Sequence, residues 1–169
     1  MKLGVVGNGM IVNRLLEDTR HLTDVEVRAL CVREQSLDKG RQLADRYHIR
    51  EIYTEYPVFL TRTDIDTVYI GIISSMHYVY AKEALKAGKN VICEKPFTTE
   101  YDEAKELIEI ARKKKLFLWE ACKIPYSRNF RAIKENLGMV GAVKLVQCNY
   151  SQYSSRYDAY QEQKVLPAF

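Results

Sequence analysis

Cysteine and histidine are scarce in this chain, four and three in 169 residues, and no two cysteines stand at the close spacing that zinc sites use. Cys31, Cys93, Cys122 and Cys148 are scattered, three of them inside apolar runs, which is the setting of a structural thiol and not of a metal ligand. No apolar run approaches the roughly 20 residues of a membrane helix. Met1-Lys2-Leu3 leads straight into a strand pattern, so neither a span nor a signal peptide is read, and the expected setting is cytoplasmic. A large charge of one sign is also lacking, the formal net charge being +4. The densest basic run, Arg112 to Lys115, ends a helix whose first turns carry Glu100, Asp102, Glu103 and Glu106. That polarity is the one the helix dipole favours, and with no recognition element beside it a nucleic-acid partner is not expected.

What remains is a chain with 47% apolar and 28% charged residues, the balance of a soluble globular protein. Short β-branched runs alternate with segments of helical period. Strands are expected at Lys2 to Val6, Val25 to Val32, Glu51 to Thr54, Thr67 to Ile73, Asn90 to Cys93 and Leu116 to Trp119. Between them helices are expected at Met10 to Asp18, at Ser36 to Tyr47 with Ser36 as N-cap, as a turn at Tyr56 to Leu60, at His77 to Ala87 stopped by Gly88, and at Thr99 to Lys114. Such strict alternation predicts an α/β fold: a doubly wound, Rossmann-type parallel sheet with helices on both faces, over residues 1–120.

The rhythm then changes. Arg128 to Leu137 reads as a short basic helix closed by Gly138, and Ala142 to Tyr153 as a strand longer than any before it, running into SQYSSRYDAY. Residues 121–169 are therefore expected to begin a second α+β domain with an open sheet, and the sequence reads as stopping inside it. A long strand with no partner in its own segment must pair with something else, so a homo-oligomer is expected of the intact protein.

The chemistry-bearing residues sit at strand ends. Gly7-Asn8-Gly9-Met10-Ile11-Val12 gives the GxGxx of a dinucleotide turn between a strand and a helix, where backbone amides can approach a pyrophosphate. Val12 stands where the fingerprint has glycine or alanine, which predicts looser contact between helix and strand. About two dozen residues on, the position that usually holds an acid for the ribose carries Arg33, then Glu34 and Ser36. A guanidinium can pair with a 2'-phosphate, which favours NADP over NAD; Glu34 as a ribose partner and an idle Arg33 stay open. Ile73-Ser74-Ser75-Met76-His77 follows the fourth strand, at the crevice where the strand order reverses, so Ser74, Ser75 and His77 are candidate cofactor contacts, with a structural role for the histidine equally open. The fifth strand ends in Glu94-Lys95-Pro96, a charge pair that is either a solvated sheet edge or a catalytic element. Pro96 stops the strand, with Thr98 or Thr99 as cap of the next helix.

With the glycine turn, the SSMH loop and GKNVICEKP in this order, the chain resembles the Gfo/Idh/MocA family of NAD(P)-dependent oxidoreductases. The most specific part of the likeness is HYVYAKEALKAGKNVICEKPFT, and where the family loop usually reads TPN this chain has Ile73-Ser74-Ser75. The resemblance implies a cofactor on the N-terminal domain and a sugar, cyclitol or related alcohol or carbonyl over a C-terminal sheet. It also implies that Lys95 is the catalytic lysine near the nicotinamide and that Glu94 orients it or binds on the ribose side. An ammonium suits that place, because hydride transfer at a carbon bearing oxygen needs a proton and positive charge at the oxygen. The family's other catalytic element, a histidine or tyrosine in a DxGxH-type segment, is not found in these residues. The alternatives are a noncatalytic dinucleotide-binding or interaction module and, weakly, a methyltransferase on the same fold.

Overall fold

In the computed structural model, residues 1–151, 153 and 157–162 are described. The chain divides into two compact units, Met1–Cys122 and Lys123–Phe169. In the first unit six strands form one sheet: β1 (Lys2–Val6), β2 (Glu26–Cys31), β3 (Glu51–Tyr53), β4 (Thr67–Ile70), β5 (Asn90–Cys93) and β6 (Leu118–Glu120). Their order is β3-β2-β1-β4-β5-β6 and every pairing is parallel. The helices between them are α1 (Met10–Thr19), α2 (Leu37–Tyr47), α3 (Tyr56–Leu60), α4 (His77–Lys86) and α5 (Tyr101–Lys114).

Both faces of the sheet are covered, as a parallel sheet requires. Alternate residues of β1 go to opposite layers: Leu3 and Val5 join Val12 and Leu16 of α1 and Leu43 and Ala44 of α2, while Val6 joins Phe59, Ala81, Ala84, Leu85 and Leu107 from α3, α4 and α5. β4 divides the same way, Tyr69 to the first layer and Val68 and Ile70 to the second. Every residue of β4 is buried, which explains the unbroken apolar run of its sequence. It ends at Ile70, earlier than expected, because Gly71 leaves the ladder after donating to the Val6 carbonyl at 2.9 Å.

The register aligns the strand ends. Val6 pairs with Cys31 and with Ile70, Ile70 with Cys93, and Cys93 with Glu120. The residues just past this row, Gly7, Gly71, Glu94 and Ala121, therefore emerge along one edge of the sheet, with neighbouring strands about 4.8 Å apart. The switch point lies between β1 and β4, from which the chain moves outward in opposite directions.

α5 begins at Tyr101 with Glu100 as its N-cap residue, not at Thr98 or Thr99; Thr98 Oγ1 instead donates to the Glu100 carbonyl at 3.0 Å and shapes the turn before the helix. Ser36 precedes α2 as expected but makes no capping hydrogen bond.

In the second unit α6 (Arg128–Asn136) is capped by Ser127, whose Oγ accepts from the Phe130 amide at 3.3 Å, and α7 is Tyr157–Gln161. The long strand expected over 142–153 does not form among the described residues: 143–151 and Tyr153 carry no strand, and Gln152 lies outside them. Apolar alternation makes a strand only where a ladder partner exists to take its amides and carbonyls. Residues 154–156 and 163–169, within the expected second domain, also lie outside the described residues.

Candidate functional site

The glycine turn is built by two different glycines for two different reasons. Gly7 has φ +108°, and a Cβ on it would lie 2.4 Å from the Gly71 carbonyl oxygen, so no side chain fits there. Gly9, the N-cap residue of α1, has ordinary extended backbone and open space where its Cβ would point. Gly9 opens a ten-residue helix, whose first amides make a cradle suited to a phosphate. Val12, expected to loosen the fit of α1 on the sheet, is fully buried instead. The small residue the fingerprint wants at this contact is supplied by the other side: a Cβ on Gly71 would come within 2.8 Å of Val12 Cγ2 and of Tyr69 Cε1. The close approach is kept, with glycine moved from helix to strand end.

Asn8 fixes the turn to the neighbouring loop, its Nδ2 donating to the Ser36 carbonyl at 3.2 Å. Its side chain is thus a strut, leaving its backbone for any ligand. The same loop carries Arg33, exposed and in extended conformation, and the Ser36 amide donates to the Arg33 carbonyl at 2.8 Å. Arg33, Glu34 and Gln35 line a shallow, open depression of the surface. Among the described residues the Arg33 guanidinium has no hydrogen bond or ion pair, so it is available to an anion.

On the β4 side, Ser74 and Ser75 lie in a single 3-10 turn, Ser74–Met76, and their hydroxyls make no hydrogen bond among the described residues. Met10 and Ile73 expose two thirds of their surface, 67% and 66%, giving this rim apolar surface beside its polar groups. The ring of His77, a candidate cofactor contact, is buried. It is 1% exposed, Nδ1 lies 2.8 Å from the Pro96 carbonyl and Nε2 3.2 Å from the Ile72 carbonyl. Its position as first residue of α4, under the crevice loop, buries the imidazole among backbone acceptors.

At the end of β5 the charge pair is not a pair. Glu94 Oε1 accepts from the Tyr69 hydroxyl at 2.8 Å, and Oε2 accepts from the Lys95 backbone amide at 3.3 Å. Lys95 is exposed, and its ammonium has no partner among the described residues. Glu94 thus orients the turn that bears Lys95 and leaves the side chain free. Burial, with the Glu94 carboxylate beside it, pushes the Tyr69 phenol far above its ordinary range, so it stays a hydrogen-bond donor. The Lys95–Pro96 peptide is cis. Beyond it the Phe97 amide donates to Glu120 Oε1 at 3.1 Å, which ties the turn to the end of β6.

Tyr69 and Glu120 were not expected as part of the site. Tyr69 could have been suspected as the one phenol in a strand of buried apolar residues, since a buried hydroxyl demands a partner. Among the described residues no three His, Cys, Asp or Glu side chains are arranged to hold a metal ion, and no helix is long and apolar enough to cross a membrane.

Residues 1–122 match the model of the Gfo/Idh/MocA family, described as an oxidoreductase family with an NAD-binding Rossmann fold. The chain belongs to the Gfo/Idh/MocA oxidoreductases. Scyllo-inositol 2-dehydrogenase (NADP(+)) IolU of Bacillus subtilis (strain 168) is 30% identical over 169 residues, 100% of this chain and 51% of that protein. D-xylose 1-dehydrogenase (NADP(+)) of Hypocrea jecorina is 32% identical over 155 residues, 85% of this chain and 40% of that protein. The crystal structure of KijD10, a 3-ketoreductase from Actinomadura kijaniata, in complex with NADP and TDP-benzene, superposes with a TM-score of 0.77 at 29% identity, over 82% of this chain and 42% of that one. This Gfo/Idh/MocA chain spans about half the length, or less, of these relatives.

Proposed function

We propose that the chain carries the cofactor site and the proton-transferring lysine of an NADP-preferring oxidoreductase acting on a sugar, cyclitol or related alcohol or carbonyl. The observation that carries this reading is the free Lys95 ammonium, held on a braced turn two strands from an open glycine cradle. Gly7, Gly9 and the amides opening α1, including those of Met10 and Ile11, receive the pyrophosphate. Arg33 takes the 2'-phosphate, with Ser36 beside it, and Ser74 and Ser75 offer hydroxyls at the rim of the crevice. When bound, the nicotinamide supplies or accepts the hydride.

The chain's own contribution is charge and a proton. In the reducing direction Lys95 Nζ gives its proton to the oxygen on which negative charge develops, and in the oxidising direction the neutral amine takes it back. Glu94, held by Tyr69, fixes the backbone from which Lys95 reaches. The substrate class is supported by the inositol and xylose dehydrogenases and the ketoreductase among the relatives. The second unit is read as the start of the substrate domain, through which the intact protein forms a homo-oligomer. Four free cysteines suit the reducing cytoplasm.

Titration of the chain with NADPH and with NADH, followed by nicotinamide fluorescence, tests the cofactor reading. NADPH is expected to bind more tightly, and failure of both to bind below millimolar concentration refutes it. For the lysine, Lys95→Met is expected to lower kcat on polyols far more than NADPH affinity. Equal losses in both would make Lys95 a binding element only.

A further inference from the structure

We infer that His77 is the positioning residue for Lys95, acting through a hydrogen bond from its Nδ1–H to the carbonyl of Pro96. The inference rests on the reading of Lys95 as the proton-transferring group. Three observations carry it. The ring is 1% exposed, so it touches neither solvent nor a ligand in the crevice. Its two nitrogens face carbonyl oxygens on two different strand-end segments, Pro96 at 2.8 Å and Ile72 at 3.2 Å. The shorter contact falls on the residue that follows Lys95.

The turn from Glu94 to Phe97 is short of backbone partners of its own, having just left the ladder. The Glu94 amide still donates to the Ile70 carbonyl at 3.0 Å, and then each later anchor is a side chain: Glu94 Oε2 on the Lys95 amide, His77 on the Pro96 carbonyl, Glu120 on the Phe97 amide. Of these, Glu94 and Glu120 lie on the same sheet edge as the turn. His77 alone reaches it from the segment after β4, where Ser74 and Ser75 lie three and two residues away. It therefore couples the position of the lysine to that of the crevice loop. A displacement of about 1 Å in a reacting group is enough to cost on the order of a hundredfold in rate.

The amide nitrogen of asparagine can take the place of Nδ1, and that of glutamine the place of Nε2, so the two substitutions separate the two contacts. With the proton on Nδ1, His77→Asn is expected to keep kcat within about fivefold and His77→Gln to lower it by about a hundredfold, both binding NADPH as the parent does. The 15N shift of Phe97, whose amide nitrogen adjoins the Pro96 carbonyl, moves in His77→Gln and holds in His77→Asn. Equal loss of kcat in both variants, or loss of NADPH affinity in step with kcat, overturns the inference. So does a 15N spectrum of the unsubstituted chain with Nδ1 unprotonated, a measurement that needs neither variant to fold nor any cofactor. Lys95→Met with full kcat would instead sink the reading of the lysine, leaving a protonated Nδ1 in place.

Discussion

Separate replacement of Gly7 and Gly9 by alanine distinguishes what the glycine turn does for folding from what it does for a ligand. At Gly7 the backbone sits at φ +108°, and an added Cβ would meet the Gly71 carbonyl oxygen at 2.4 Å and Ile72 Cγ2 at 3.2 Å. The carbonyl cannot withdraw cheaply, because Gly7 and Gly71 both anchor to strand ends, donating to Cys31 at 2.8 Å and to Val6 at 2.9 Å. Holding a non-glycine residue in such a conformation costs about 1–3 kcal/mol. Overpacking against fixed neighbours adds about 1–3 kcal/mol. Gly7→Ala is thus expected to remove ~2–6 kcal/mol, a large part of the ~5–15 kcal/mol that stabilises a typical domain. Gly9 is the control: its φ of −76° and ψ of −177° suit any residue, and nothing lies within 4 Å of its Cβ. Because Gly9 is an N-cap residue, where glycine is preferred to alanine, Gly9→Ala should cost only about 1 kcal/mol. Its methyl group occupies the space a phosphate needs, so NADPH affinity should fall tenfold or more, about 1.4 kcal/mol. Urea unfolding and NADPH fluorescence on the same preparations give both numbers. The reasoning fails if Gly9→Ala unfolds as readily as Gly7→Ala, or if it binds NADPH as the parent does.

Arg33→Glu should invert the cofactor preference, weakening NADPH by the loss of a charge-assisted pair while leaving NADH within a few fold; equal weakening of both would show that Arg33 does not meet the 2'-phosphate. The Asp64 carboxylate is held below its ordinary value of 3.8 by hydrogen bonds from Arg62, whose Nε and NH2 reach its two oxygens at 2.9 Å each. A lowered folded value gives stability that is present above 3.8 and lost as pH falls through the lowered value, so parent and Asp64→Asn should differ in urea midpoint at neutral pH and converge in acid. A gap that persists below both values would mean the fork acts by packing and not by charge. Burial pushes the Cys31 and Cys93 thiols up to about 12, whereas Cys148 is exposed. A thiol-reactive disulfide at mildly alkaline pH should therefore label Cys148 at once and Cys31 and Cys93 only on unfolding, and rapid labelling of either buried thiol would contradict the two-layer core.

The alternation of strand and helix, and with it the doubly wound sheet, was legible because burial on both faces leaves a local mark: β4 is buried throughout and mostly apolar, and each helix shows one apolar face. The glycine turn was legible for a similar reason, since φ +108° at Gly7 is a local demand that glycine meets. What could not be read were the roles decided by contacts between distant residues. Val12 looks like a flaw in the fingerprint until Gly71, 59 residues on, is seen to make room for it. His77 looks like a ligand contact until its ring is placed between the carbonyls of Ile72 and Pro96. Glu94 looks like the partner of the lysine beside it until the Tyr69 hydroxyl, 25 residues back, claims its carboxylate. The long strand expected over 142–153 failed for the converse reason: its alternation was real, but a strand exists only with a neighbour, and the described residues of this stretch carry no strand. The free ammonium of Lys95 follows from the same logic. Glu94 and Glu120 beside it are already spent on holding the turn, so among the described residues the Lys95 ammonium is left without a partner.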